Sequence, residues 1–338
     1  MIKEEIEKIL LNIPTFKNRN YWLVRTQGGQ YYGDYRSNNF VAIGHNEISL
    51  NDMNESKKNA KNPYELLTAK IKGNNKDQLR PKYVATQLFK FTYEIKKGDI
   101  VIIPSENSAS ISFGEIVETT IFLENNIDYS NHKKCNFIKH KKVKWLKDIY
   151  REELEPKLYK LLFSHHTITN ATQYSSEIDR TINDFYIKED EANVILKVSA
   201  FADIKARSLF QMGNNLLDIV DQYCKENNLD IDTSDVEIKL NLQSPGTIQL
   251  SGKQKTAIAI IGLLIVGIVG GGFKIKYGDF EFDLSTQGAI QKSIEAQEAN
   301  NDIKIKNEIL EKHVDTFQIK QPNDLVNVLK QNSTNKTK

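Results

Sequence analysis

The chain has 338 residues, which is enough for two domains with separate cores. Hydrophobic residues make up 39%, which is too few for a multi-span membrane protein, and 46 Lys and Arg residues nearly balance 44 Asp and Glu residues. This balance excludes a uniformly basic nucleic-acid-binding protein, so any basic surface must be local. The two cysteines, Cys135 and Cys224, are far apart, which excludes a disulfide framework and a zinc-ligand spacing.

The N-terminal half alternates short strands with amphipathic helices. Ile2, Ile6, Ile9 and Ile13 recur at helical spacing before Pro14, and a longer helix is predicted over 83–96, ending at two lysines and a glycine. Apolar alternation predicts strands at 21–25, 40–44, 99–104, 111–122 and 137–146, and a further helix at 152–163. Short strands with an interposed helix predict a small mixed β-barrel that closes near residue 170.

The C-terminal half has a different pattern. Strands are predicted at 194–200, 236–242 and 247–250, a helix at 206–224, a hairpin around Gly278 and Asp279, and a polar helical tail. The resulting fold class is α+β, with a mixed β-barrel followed by an α+β region that contains one apolar helix. The expected division of the chain is 1–170, 190–252, 256–273 and 274–338.

The first half resembles the N-terminal domain of Mrr-type restriction-system proteins, within the broad PUA/EVE-like group. The resemblance spans roughly residues 20–170 and lies in the order and spacing of the segments 21–26, 39–44, 91–104, 113–116 and 143–145. It implies a pseudo-barrel that holds a nucleobase in a pocket with aromatic walls. In restriction systems a separate nuclease domain cuts the selected nucleic acid, and no convincing nuclease domain follows residue 170 here.

Aromatic and polar side chains near the glycine-bearing loop are the candidate ligand-binding residues. Aromatic rings stack on nucleobases, and short polar side chains can bond to base edges. The candidates are Trp22, Tyr31, Tyr32, Tyr35, Ser105 and Asn107. Two alternatives remain open: the aromatic residues Trp22, Tyr31, Tyr32 and Tyr35 can be core residues, and Ser105 and Asn107 can form a plain turn.

A basic run over 133–147 is the strongest local charge feature. Within it, Lys139, Lys142 and Lys144 are the candidate phosphate-contacting residues. Because alternate strand residues share a face, Lys142 and Lys144 are expected to lie together. The alternative is a solvated edge strand whose lysines oppose aggregation.

The segment 256–273 contains no charged residue. As a helix it is close to the thickness of a bilayer core, and its glycines allow close helix packing. Three interpretations are open: a membrane span, a buried helix or strand pair of a soluble domain, and a covered segment that inserts into the membrane when the N-terminal domain binds its ligand. A homo-oligomer contact through the Gly-rich helix is a further expected partner. The N-terminus is acidic and has no signal-peptide-like apolar stretch, so the predicted location is a cytoplasmic N-terminal domain with a single inner-membrane span.

The combined prediction is a bacterial defence-type sensor. Its PUA-like domain would bind a nucleic-acid or nucleotide ligand, its C-terminal half would associate with the membrane, and it would need neither a metal nor another cofactor. The first alternative is a degenerate restriction endonuclease that uses Asp235, Glu237 and Lys239, since such a pattern on a strand can hold Mg²⁺ and steer a water. The second alternative is a soluble oligomeric interaction protein whose Gly/Ile-rich helix is the oligomer core.

Overall fold

The computed structural model describes residues 2–58, 62–200, 202–241, 246–271, 274–277, 280–283 and 294–334. The chain divides into two compact units, which we call the central unit (residues 19–182) and the terminal unit (residues 1–18 together with 183–338). The predicted boundaries put residues 1–170 in one domain. The structure instead groups the N-terminal helix with the C-terminal half.

The labelled elements follow in chain order. The helices are α1 (Ile2–Leu11), α2 (Tyr32–Ser37), α3 (Leu50–Lys58), α4 (Pro63–Asn74), α5 (Pro81–Phe89), α6 (Tyr159–Leu162), α7 (Ser175–Ile182), α8 (Ala206–Glu226), α9 (Lys255–Val269), α10 (Ile294–Thr316) and α11 (Asn323–Thr334). The strands are β1 (Thr15–Phe16), β2 (Tyr21–Val24), β3 (Phe40–Ile43), β4 (Ile100–Pro104), β5 (Ser110–Ile116), β6 (Phe122–Leu123), β7 (Lys139–Tyr150), β8 (Ile168–Asn170), β9 (Phe185–Lys188), β10 (Glu191–Val198), β11 (Glu237–Asn241), β12 (Gly246–Gly252), β13 (Lys274–Tyr277) and β14 (Phe280–Asp283).

A curled sheet organises the central unit. Its strand order is β3-β7-β5-β4-β2-β8, with β6 also on β7, and β2 runs parallel to β4 while the other pairs are antiparallel. The long strand β7 curls the sheet because it pairs with β5 along most of its length and with β3 at its first residues. At Gly114 the register shifts, and a Cβ there would lie 2.6 Å from the Trp145 ring, so only glycine admits this contact.

Two hydrophobic clusters stabilise the central unit. The larger one contains Trp22, Tyr35, Phe91 and Val143 beneath α2 to α5, and the smaller one contains Tyr21, Phe113 and Ile178 near α7. Successive residues of β2 therefore enter different clusters, as the two-residue period of a strand requires. The sheet is buried on both sides, which explains why β2, β3 and β4 are almost uniformly apolar.

The terminal unit is built around α9. A five-stranded sheet of order β1-β9-β10-β12-β11 packs on α9 through β10 and β12, and the helices α1, α8, α10 and α11 also contact it. Twelve residues of α9, Ala257 through Ile268, are buried. Since neighbours surround this helix, it is apolar on all sides and has no polar face.

The predicted fold class, an α+β fold with a small mixed β-barrel and one membrane-length apolar helix, is wrong. The chain is mixed α/β with curled, half-barrel-like sheets, and the apolar segment folds as the buried helix α9. The helix α9 has 15 residues, about 22 Å of rise, against the ~30 Å of a bilayer core. Among the residues described, no helix combines the length and the apolarity needed to cross a membrane. The last two positions of the predicted span, 272 and 273, and the hairpin turn at Gly278 and Asp279 lie outside the described residues.

Candidate functional site

The site lies where the parallel strands β2 and β4 end. Because neighbouring parallel strands end at the same edge, the loops 25–31 and 105–109 meet there. The Thr26 hydroxyl donates a 2.6 Å hydrogen bond to the Pro104 carbonyl, which links the two strand ends directly. The backbone N–H groups of Gly29 and Tyr31 both donate to the Thr26 carbonyl, so the first loop folds back tightly on itself.

Gly29 makes the close contact between the two loops possible. Its φ is +101°, and a Cβ added there would lie 2.3 Å from the backbone nitrogen and Cα of Glu106. An L side chain is excluded by both the backbone conformation and the space. Gly28 and Gly33 differ, since a Cβ at either would meet nothing within 4 Å.

The segment between β6 and β7 lies beside these two loops and forms a third wall of the site. The Asp34 carboxylate accepts hydrogen bonds from the Cys135 backbone N–H at 2.8 Å and from the Lys134 ammonium at 2.9 Å. The ion pair with Asp34 raises the pKa of Lys134 above its usual value. Burial raises the pKa of the Cys135 thiol to about 12, so this cysteine is a protonated packing group at neutral pH.

These three segments, together with α2, line an open polar cleft of about 630 Å³. Volumes of this order are typical of small-molecule sites. Of the residues that the structure describes, no aromatic side chain lines it. Amide, hydroxyl, carboxylate and ammonium groups and glycine backbone do, and the lining residues are Gln27, Gly28, Gly29, Gln30, Gly33, Asp34, Ser37, Glu106, Lys133 and Lys134.

Formal charges in the cleft cancel. Lys134 is paired with Asp34, whereas no ion-pair partner of Lys133 or Glu106 is found among the described residues. The cleft therefore offers one free cation and one free anion beside the side-chain amides of Gln27 and Gln30. Such a lining suits a ligand with both donors and acceptors better than it suits a multiply charged anion.

Three of the predicted aromatic ligand-binding residues lie in the core. Trp22 is 2% exposed and donates its indole N–H to Asp99, while Tyr35 is fully buried and donates to the Ala42 carbonyl. Tyr31 is 5% exposed, donates to the Asn136 side chain and meets the Phe137 ring edge-on. All three rings pack within the central unit and do not line the cleft.

Tyr32 belongs to a polar chain that fixes α2 on the sheet. Its hydroxyl lies 2.7 Å from the Ser112 hydroxyl, and Ser112 donates to Asp148 at 2.6 Å. Arg36, one turn further along α2, pairs with the same carboxylate and lies over the Trp145 ring at 4.9 Å. Since Ser37 of α2 lines the cleft, this set of hydrogen-bonded side chains holds one wall of the cleft in place.

Ser105 and Asn107 form the turn that was left open as their alternative role. The Ser105 hydroxyl accepts from the Ser110 N–H at 2.8 Å, and Asn107 has a φ of 52° with its carbonyl bonded to Arg151. Their neighbour Glu106 is the residue of this turn that lines the cleft.

The three candidate phosphate-contacting lysines differ in exposure: two are at the surface and one is buried. Lys142 and Lys144 are exposed on β7, and Lys142 lies 3.6 Å from Glu118. Lys139 is fully buried, and its ammonium donates to the carbonyls of His45 and Ile48. Burial lowers the pKa of Lys139 to about 8, and the equally buried Lys141 shows the same shift for the same reason.

The residues of the nuclease alternative lie in the terminal unit. Glu237 and Lys239 are on β11, opposite Ser251 and Gln249, and both are exposed; Asp235 precedes the strand. Within the described part of the chain, no group of three or more His, Cys, Asp or Glu side chains is arranged to hold a metal ion.

The sequence carried a partial signal for the cleft. Three parts of the cleft are recognisable in the sequence: the glycine-bearing loop, the turn around Ser105 and Asn107, and the pair Lys133-Lys134. No sequence pattern predicts the lining residues Gln27, Gln30, Asp34 and Glu106. These four residues come together because β2 and β4 are parallel neighbours, and this pairing joins loops that are about 80 positions apart in the sequence.

One comparison with known proteins gives a match, and the match lies in the central unit. A family model described as a domain of unknown function (DUF8426) matches residues 21–172. No curated protein and no solved structure matches the chain. The segment from β2 to the end of β8, which contains the whole cleft, is therefore similar to the DUF8426 domain.

Proposed function

We propose that the central unit binds a nucleic-acid or nucleotide ligand and receives a nucleobase in the cleft. The observation that supports this most strongly is the convergence of three polar segments on one concave site at the ends of two parallel strands. The resemblance of residues 20–170 to PUA/EVE-like domains points to the same class of ligand.

The chemistry of the lining fits a base edge. Side-chain amides can bond in pairs to adenine, a carboxylate accepts from an exocyclic amine, and an ammonium bonds to guanine acceptors. Gln27, Glu106 and Lys133 supply these three kinds of group in the cleft. The exposed Lys144 of β7 is proposed as a phosphate contact outside it.

The ligand would be held without an aromatic cage. Trp22, Tyr31 and Tyr35 shape the core beneath the loops, so their expected role changes from stacking on the base to supporting the walls. Recognition then depends mainly on hydrogen bonds, and affinity should fall sharply for ligands that leave the cleft carboxylate or amides unpaired.

Fluorescence anisotropy of the full chain tests this proposal, with labelled DNA and RNA single strands of about 12 nucleotides and with mononucleotide competitors. Gln27→Ala should weaken binding unequally among the four bases, with the largest loss for adenine, and Lys133→Ala should weaken it most for guanine-containing ligands. Lys76→Ala, an exposed lysine outside the cleft, is the matched control and should bind as wild type does. The proposal fails if no strand or nucleotide binds, or if the cleft variants bind as the control does.

A further inference from the structure

The strand β11 lies at the edge of its sheet, with Glu237 to Leu240 along its outer side. It is the last strand in the order of its sheet and pairs antiparallel with β12 on one side. Among the described residues, no strand pairs with its other side. The residues Glu237 to Leu240 are all exposed, so neither face of the strand is covered. Such an edge presents unpaired N–H and C=O groups that can accept another strand.

One face of β11 carries apolar side chains into solvent. Ile238 and Leu240 are 51% and 45% exposed, although they stand opposite Leu250 and Ile248, which belong to the core of the terminal unit. The apolar face of the sheet thus continues one strand beyond the helices that cover it. Burial of these two side chains would stabilise whatever covers them.

The other face of β11 carries two charges that complement each other. Glu237 and Lys239 lie two positions apart on this face, and no described residue forms an ion pair with either. In an antiparallel pair of two β11 strands centred on Ile238, Glu237 of each copy stands opposite Lys239 of the other. The apolar face then brings Ile238 opposite its own copy.

We propose that β11 is a self-association edge: two copies of the chain pair through antiparallel β11 strands centred on Ile238, which joins their sheets. The partner is a second copy because the segment Glu-Ile-Lys is its own complement in this register. A two-fold axis uses the same surface on both copies and closes the assembly as a dimer. The proposal assigns a role to Glu237 and Lys239 that is independent of ligand binding in the central unit.

Charge reversal tests the register. Sedimentation equilibrium of the full chain should show a concentration-dependent dimer. Glu237→Lys and Lys239→Glu should each weaken it about tenfold or more, because each converts two attractive cross-strand pairs into two repulsive ones. The double variant Glu237→Lys/Lys239→Glu restores both pairs and should recover the affinity. Lys304→Glu, an exposed position on α10, is the control for a change in net charge.

Cysteine cross-linking tests the same register without altering charge. Ile238→Cys should form an intermolecular disulfide under mild oxidation, because directly opposite residues are within bonding reach, whereas Leu240→Cys should cross-link poorly. The native Cys135 and Cys224 are buried and provide the background. A monomer at all concentrations overturns the proposal, as does a dimer that the charge reversals leave unchanged or that Leu240→Cys cross-links more readily than Ile238→Cys.

Discussion

The buried lysines of β7 make the stability of the central unit depend on pH in an unusual direction. Lys139 and Lys141 are both 0% exposed, and within the described part of the chain their ammonium groups donate hydrogen bonds to backbone carbonyls alone, those of His45 and Ile48 for Lys139 and that of Thr119 for Lys141. Burial lowers the pKa of each from 10.5 to about 8. The double variant Lys139→Met/Lys141→Met removes both titrations while keeping comparable side-chain volume.

The direction of this pH dependence follows from how many protons the folded and unfolded states bind. Between pH 8 and 10.5 the unfolded chain keeps both lysines protonated while the folded chain releases the protons. The unfolded state therefore binds more protons in this window, and the free energy of unfolding rises with pH. For each lysine the contribution between about pH 7.5 and pH 9.5 is on the order of 2 kcal/mol, so the two together contribute roughly 4 kcal/mol.

Urea denaturation followed by tryptophan fluorescence measures this contribution. The chain has two tryptophans, Trp22 and Trp145, and both lie in the central unit, so the signal reports on that unit. The wild type should gain stability relative to the double variant as pH rises, while groups shared by both proteins cancel in the difference. A difference that stays constant from about pH 7.5 to pH 9.5 would refute the assignment of the two lysines as buried, unpaired cations.

Three further substitutions test particular contacts. Gly29→Ala should destabilise the central unit by about 2 kcal/mol or more, because a methyl group there meets the Glu106 backbone, and urea midpoints unchanged from wild type would contradict the loop contact. Asp34→Ala should release Lys134 and expose the Cys135 amide to faster hydrogen exchange; unchanged protection would show that Asp34 does not hold this wall. Gly262→Leu should cost the terminal unit about 1–3 kcal/mol, since even a Cβ lies 3.0 Å from Leu325 and Phe185, and circular dichroism melting checks it; a wild-type melting temperature would mean that this face of α9 is not packed.

Local patterns predicted most strands of the central unit. The segments 21–25, 40–44 and 99–104 correspond to β2, β3 and β4 because their apolar runs lie between turn residues. The helix predicted at 152–163 is reduced to 3₁₀ turns and the short α6, since Pro156 cannot continue a helix. The sequence does not reveal α2 because its six residues follow a glycine loop and make fewer than two helical turns, which is too short for a repeating apolar pattern.

The features that local sequence patterns did not predict depend on tertiary contacts. An uncharged run of this length indicates a membrane span when read alone, and the packing of α1, α8, α10 and α11 on α9 shows that Ala257 to Ile268 are buried within the terminal unit. The same limit applies to the lysines of β7. Lysine is among the residue types least often buried, so a basic run predicts a surface, and the burial of Lys139 and Lys141 follows from strand parity within a curled sheet.

Hydrogen exchange of the full chain, with and without a saturating single strand of about 12 nucleotides, tests the central claim most directly. Ligand binding in the cleft predicts added protection in three separated segments at once, residues 27–30, 105–109 and 132–135, with the amides of α8 and α10 unchanged. Protection confined to other surfaces, or none at concentrations where anisotropy reports binding, would contradict the cleft as the ligand site.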